Sequence, residues 1–156
     1  MMGAFGHLRK DMLRQPRRYF RPTPSGKGRM MSGDVEGLQA AVQRYFDLMY
    51  DSDPRHFERV FAPTAQLHGF REGRLTMWSA AQFKDVMASR PSPQALKAPR
   101  EEAILLLDFA APDQAVAKVR VRIGATVFVD CLTYHRADGE WRITNKAYNV
   151  ERVIPS

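Results

Sequence analysis

The chain has 156 residues, 44% of them apolar and 10% aromatic, which suits one packed domain and leaves too little for two. A single cysteine, Cys131, rules out an internal disulfide and points to a reducing compartment, so a soluble cytoplasmic protein is expected. The longest uncharged apolar run, Ala103 to Leu107, is far too short to cross a bilayer, and no membrane partner is expected.

The net charge of +7 would suggest nucleic acid if it covered a folded surface, but it is localised. Eight of the 24 Lys and Arg residues, and only one of the 17 acids, lie in residues 1–31; the 16 bases and 16 acids that remain cancel. Residues 32–156 therefore form a neutral domain for which no nucleic-acid partner is expected, and residues 1–31 form a basic, unstructured tail. Arg21-Pro-Thr-Pro-Ser-Gly-Lys-Gly-Arg29, followed by Met30-Met31, marks the boundary between them. The tail can be read as an over-extended start upstream of Met30 or Met31, as an Arg-rich targeting segment, or as a basic arm for an acidic partner. Gly26-Lys27-Gly28 is not a phosphate loop, because the preceding strand, the longer glycine spacing and a following Ser or Thr are missing.

Asp34 is placed to cap a helix in which Val35, Leu38, Ala41, Val42, Tyr45, Phe46 and Met49 make one apolar stripe. Asp53-Pro54 reads as an N-cap followed by proline at the first helical position, opening a short helix with Phe57, Val60 and Phe61 on one face and Pro63 ending it. Ala65–Phe70 and Arg74–Trp78 read as strands joined by a Glu72-Gly73 turn. Ser79 and Gln82 have capping-box spacing and start a third helix through Phe83, Val86 and Met87, which stops before Arg90-Pro91.

The last third turns β-branched and aromatic, with turns at Pro112-Asp113 and Asp138-Gly139. It predicts four strands, Glu102–Phe109, Ala115–Ile123, Thr126–His135 and Glu140–Val150. In the second, Ala117, Val119, Val121 and Ile123 alternate with Lys118, Arg120 and Arg122, so one face is buried and one faces water or a partner. The order α-α-β-β-α-β-β-β-β implies an α+β fold in which a curved, mixed or antiparallel sheet wraps around about three helices.

That order, with Gln43-Arg-Tyr-Phe-Asp-Leu-Met-Tyr-Asp-Ser-Asp53, Arg90-Pro91, Phe128-Val-Asp-Cys-Leu132 and Trp141-Arg-Ile-Thr-Asn-Lys146, resembles the nuclear transport factor 2-like superfamily. Within it, the chain is most similar to the branch labelled "putative lumazine-binding", over residues 34–150. The resemblance implies a cone with a pocket between the concave sheet and the helices, and a homodimer packed through the sheet. It does not imply one chemistry, because the superfamily holds enzymes, binding modules and proteins of unknown role.

Asp130 interrupts the otherwise apolar run Thr126-Val-Phe-Val-Asp-Cys-Leu-Thr-Tyr134. A carboxylate there must be paired, hydrogen-bonded or protonated. Lys146 is the structural partner if the Asp138-Gly139 hairpin has a three-residue loop; a two-residue loop brings Ala147 opposite instead. The alternative is a pocket acid or base, as in the related ketosteroid isomerases, which keep a carboxylic acid in an apolar pocket. His68 shares a strand face with Gln66 and Phe70 and is either structural or a base near neutral pH. Tyr45, Trp78, Tyr134, Asn145 and Tyr148 are either core or pocket lining for a planar organic ligand. Asp53 doubles as a cap, and Arg90 either anchors its loop or meets an anionic ligand.

Other chemistries find no support. The four histidines lack ligand spacing with a carboxylate, so no metal is expected. Cys131 and His135 are separated by roughly 13 Å along a strand, too far for a nucleophile and its base. Glu101 and Glu102 alternate faces of a strand end and read as solvated. No cofactor fingerprint and no nucleophile elbow occur. The sequence thus points to a small-molecule-binding domain. The alternatives are a cofactor-independent isomerase, dehydratase or cyclase, with Asp130 or His68 moving the proton and Tyr45 or Tyr148 steadying an oxyanion, or a dimeric interaction scaffold.

Overall fold

The computed structural model describes residues 32–155, with side chains from Asp34 onward; the basic tail and its three readings lie outside the described residues. The elements are α1 (Ser32–Asp51), a 3-10 turn (Pro54–His56), α2 (Phe57–Val60), β1 (Phe61–Arg71), β2 (Arg74–Ser79), α3 (Ala80–Ala88), β3 (Glu102–Ala111), β4 (Gln114–Ile123), β5 (Thr126–Ala137) and β6 (Glu140–Val153). Six strands form one open sheet in the order β2-β1-β6-β5-β4-β3. Only the β1–β6 pair is parallel. This is the expected α+β fold, a curved mixed sheet around three helices. None of those helices is long and apolar enough to cross a membrane.

Local sequence explains most of the element ends. Ser79 accepts the Gln82 N–H (3.2 Å) while its own N–H reaches the Gln82 side chain (2.9 Å), completing the capping box that opens α3. Asp53 caps the 3-10 turn by accepting the Arg55 N–H (2.9 Å), and the Arg55 side chain clamps that carboxyl down to a pKa of about 2. α1 ends where Ser52 enters the left-handed region (φ 54), with its hydroxyl buried and without a partner among the described residues.

Pro63 does not end a helix. The chain turns extended at Phe61, and Pro63 lies inside β1 in the stretch where the β1–β6 register shifts, between Phe61 and Gln66. A residue without an N–H is tolerated there because the ladder is already interrupted.

α1 packs its apolar stripe onto the concave face of the sheet, against β4 and β6. Leu38, Val42, Tyr45 and Met49 from α1, Phe57 and Phe61, Phe83 and Met87 from α3, and Ala117, Val119, Leu132 and Ile143 from the sheet form one continuous core. Burying side chains of this size contributes roughly 1.5–3 kcal/mol each.

The hairpin between β5 and β6 positions the site. Asp138 and Gly139 both have positive φ (53° and 79°), the conformation of a two-residue type I′ turn. Unbroken pairing from that turn would set Asp130 opposite Ala147. The ladder instead shifts by one residue between Thr133 and Tyr134, so Asp130 pairs with Tyr148 and Leu132 with Lys146. Neither register expected from loop length holds, because the bulge at Thr144 adds a residue to β6 that no loop rule anticipates.

Candidate functional site

The bulge decides which side of the sheet Lys146 occupies. A one-residue slip reverses every side chain beyond it, and here it turns Lys146 and Tyr148 toward the helices, on the same face as Asp130. Two neighbouring rows result on the concave face. One runs Ala117, Leu132, Lys146, Leu67, Trp78; the other runs Val119, Asp130, Tyr148, Gly69, Thr76.

Asp130 is 0% exposed and Lys146 4%. Lys146 Nζ lies 3.3 Å from Asp130 Oδ2 and donates to the Tyr45 hydroxyl at 2.8 Å, while that hydroxyl donates to Asp130 Oδ2 in a short hydrogen bond. Tyr45 reaches them from α1, where its 0% exposure follows from its place in the apolar stripe. The ammonium also lies 5.1 Å from the Tyr45 ring centroid and 5.3 Å from that of Phe83, so aromatic faces stabilise its charge.

Burial drives the titration of Tyr45 and Lys146. It raises the Tyr45 phenol well above its ordinary range, and the charge of Asp130 beside it adds to the effect. It lowers the Lys146 ammonium, with Asp130 opposing the shift. Among the described residues, Asp130 Oδ1 is buried without a partner, as is the hydroxyl of Tyr134. An unpaired buried polar group costs about 1–3 kcal/mol.

The other candidates divide between the two faces of the sheet. Tyr134 lies on the concave face, and burial raises its phenol pKa. Trp78 stands at the open end of the Lys146 row, stacked on Phe83 with ring centroids 6.0 Å apart. Tyr148 lies flat against Gly69, where any Cβ would overlap its ring, and its hydroxyl sits 3.2 Å from Thr76 Oγ1.

His68 faces the opposite way with Gln66 and Phe70, next to Met77 and Ala147, so the sheet separates it from Asp130. Asn145 also points outward, paired with Gln66 and Thr133. Arg90 is exposed and makes no ion pair among the described residues. No group of three or more His, Cys, Asp or Glu among the described residues could hold a metal ion.

Sequence reasoning did not place Thr76 or Phe83 at the site. Thr76 stands between Leu75 and Met77 on β2, and polarity alone would turn those two inward and Thr76 outward, the reverse of what the structure shows. The approach of Phe83 to Lys146 has no local signal, because it depends on how α3 docks.

The family described as "Putative lumazine-binding" matches residues 33–149. The chain belongs to this family. Its fold is that of the nuclear transport factor 2-like superfamily. An NTF-2-like protein of unknown function from Silicibacter pomeroyi superposes with a TM-score of 0.69 at 27% identity, covering 77% of this chain and 98% of that one. A second from Shewanella baltica gives 0.66 at 20% identity, over 80% and 96% of the two chains. A ketosteroid isomerase-like protein from Erwinia carotovora atroseptica gives 0.61 at 11% identity, over 78% and 99%, a likeness of fold alone. No curated protein sequence matches. Family membership accounts for the cone and its sheet order, while the Tyr45–Asp130–Lys146 network is read from this chain's own atoms.

Proposed function

We propose that this member of the family binds a small, planar organic molecule on the concave face of its sheet, a lumazine-like heterocycle being the first class to test. The observation that carries this reading is the row from Asp130 through Tyr148 to Thr76. It begins at a buried carboxylate with one oxygen unpaired among the described residues and ends at the half-exposed Tyr148 and Thr76, with Trp78 and Phe128 as aromatic walls. A ligand entering at the Tyr148 and Thr76 end would reach an acceptor at Asp130 Oδ1 and the remaining N–H of Lys146.

Native mass spectrometry of the chain purified from cells tests the reading, together with thermal shift against lumazine and related planar heterocycles. A retained mass, or a melting increase that is lost in Lys146→Met, is the expected result. No retained mass and no shift with any heterocycle refutes it.

The hydrogen-bond chain from Lys146 through Tyr45 to Asp130 supports a second reading, a cofactor-independent isomerase or cyclase. In it Asp130 would take a proton from one atom of the substrate and return it to another, while Tyr45, held by Lys146 and still protonated, would turn its hydroxyl from Asp130 to the developing oxyanion. Asp130→Asn separates the readings: an enzyme loses turnover while keeping its ligand.

The partner proposed for the outer face is a second copy of the chain. Phe70 and Leu75 pair across β1 and β2 there at 71% and 64% exposure, with Met77, Leu106 and Val116 on the same face. A reducing, cytoplasmic setting belongs to the same reading, because the fold needs no disulfide and Cys131 is exposed.

A further inference from the structure

A cleft of about 370 Å³ lies along α1, away from the buried network. Its walls follow from helical spacing: Arg44, Asp47, Leu48 and Asp51 share one face of α1, and His56, Arg59 and Val60 come from the turn and α2. The segment after α3 closes it with Arg100 and with Gln94, whose N–H is bonded to the Tyr50 carbonyl at 3.0 Å. Leu48 and Val60 are buried and form an apolar floor beneath a polar rim.

The hydrogen-bonding capacity of that rim is unevenly used. Asp47 accepts from Arg100 at 2.8 Å and from Gln43 at 3.1 Å. Asp51 accepts the Asp53 N–H at 2.8 Å and has His56 Nδ1 at 3.7 Å. Arg100 also grips Glu102 at 2.7 Å, so its guanidinium is taken. Arg59 makes no hydrogen bond or ion pair among the described residues, and the ion pair of Arg44 with Glu140 is stretched to 4.0 Å. Among the described residues the side chains of Tyr50, His56 and Gln94 also make no hydrogen bond, and the charged part of the spare capacity is guanidinium donors, which match a carboxylate.

Charge narrows the class. Asp47, Asp51, Glu102 and Glu140 stand in or beside the rim and repel any anion, a dianion about twice as strongly as a monoanion, so the two under-used arginines favour a single charge. The volume lies near the lower end of the roughly 300–1,000 Å³ typical of ligand sites, which favours a compact molecule. We infer that this cleft binds a small organic monocarboxylate, its anionic group on Arg59 and Arg44 and its apolar body over Leu48 and Val60. The site is independent of the concave-face reading and shares no residue with it.

The test titrates the full chain with benzoate and hexanoate, followed by amide NMR, with benzyl alcohol and inorganic phosphate as comparisons. Saturable shifts at Tyr50, His56 and Val60 are expected with both carboxylates and not with the alcohol, and phosphate should bind more weakly. Arg59→Gln should weaken the carboxylates by at least about tenfold, the loss of one charge-assisted grip. Arg55→Gln, an exposed arginine outside the cleft, should leave them unchanged. The inference is overturned by an absence of saturable shifts, by phosphate binding as tightly as benzoate, by an unaffected Arg59→Gln, or by shifts at Thr76 and Tyr148 instead.

Discussion

Replacing Lys146 with methionine tests whether the buried network is coupled as its geometry indicates. The substitution keeps most of the apolar stem, which lies among Tyr45, Phe83 and Leu67, and removes only the ammonium. Asp130, at 0% exposure, then keeps one hydrogen bond from Tyr45 and loses its counter-ion at 3.3 Å. Breaking one half of a buried ion pair costs about 3–5 kcal/mol, because the remaining charge stays desolvated. For a domain of this size, where 1 kcal/mol shifts the melting point by about 2–4 °C, the loss should be on the order of 10 °C.

The triple variant Tyr45→Phe/Asp130→Leu/Lys146→Met removes every polar member and should recover most of that loss, since apolar replacement of a buried pair is neutral or stabilising by about 1–4 kcal/mol. Urea denaturation at pH 7, followed by the fluorescence of buried Trp141, measures both variants. A loss below about 1 kcal/mol in Lys146→Met is what a solvated, exposed ion pair gives, and it would refute the reasoning.

Ser52→Gly should stabilise the domain by about 1 kcal/mol, because it relieves a left-handed residue and deletes an unpartnered buried hydroxyl, partly offset by unfolded-chain entropy; a lower melting point would contradict this. Gly69→Ala should cost about 1–3 kcal/mol by lifting the Tyr148 ring off β1 and breaking its contact with Thr76, read by thermal melting and by the Tyr148 ring resonances. Alkaline stability follows from the two phenols whose pKa burial raises. The unfolded chain releases their protons above pH 10 while the folded chain keeps them, so their contribution is complete below pH 10 and falls by about 1.4 kcal/mol per pH unit for each tyrosine above it. Lys146 acts with the opposite sign only below its ordinary 10.5, so above that value the tyrosine slopes stand alone and Tyr134→Phe should remove about one tyrosine's share.

The element order was legible because each signal is local. The capping box at Ser79, the Asp138-Gly139 turn and the alternation in β4 depend on neighbours within a few residues, and the structure reproduces them. Asp130 was legible as an anomaly for a similar reason, since a carboxylate in an apolar strand must find a partner wherever the chain goes. The end of the second helix was misjudged because Pro63 carries the same breaker signal in a helix end and in an interrupted strand.

Charge alone distinguished a neutral stretch at residues 32–156 from a basic one before it, and periodicity alone set most of the residues of α1 and β4 that face the core. Which residues meet Asp130 was decided only in three dimensions. The extra residue at Thr144 turns Lys146 and Tyr148 inward, and the docking of α1 sets the Tyr45 hydroxyl between carboxylate and ammonium. Strand alternation has a period of two, so a single bulge exchanges the faces beyond it, and no pattern of apolar and polar residues along β6 marks where that bulge falls.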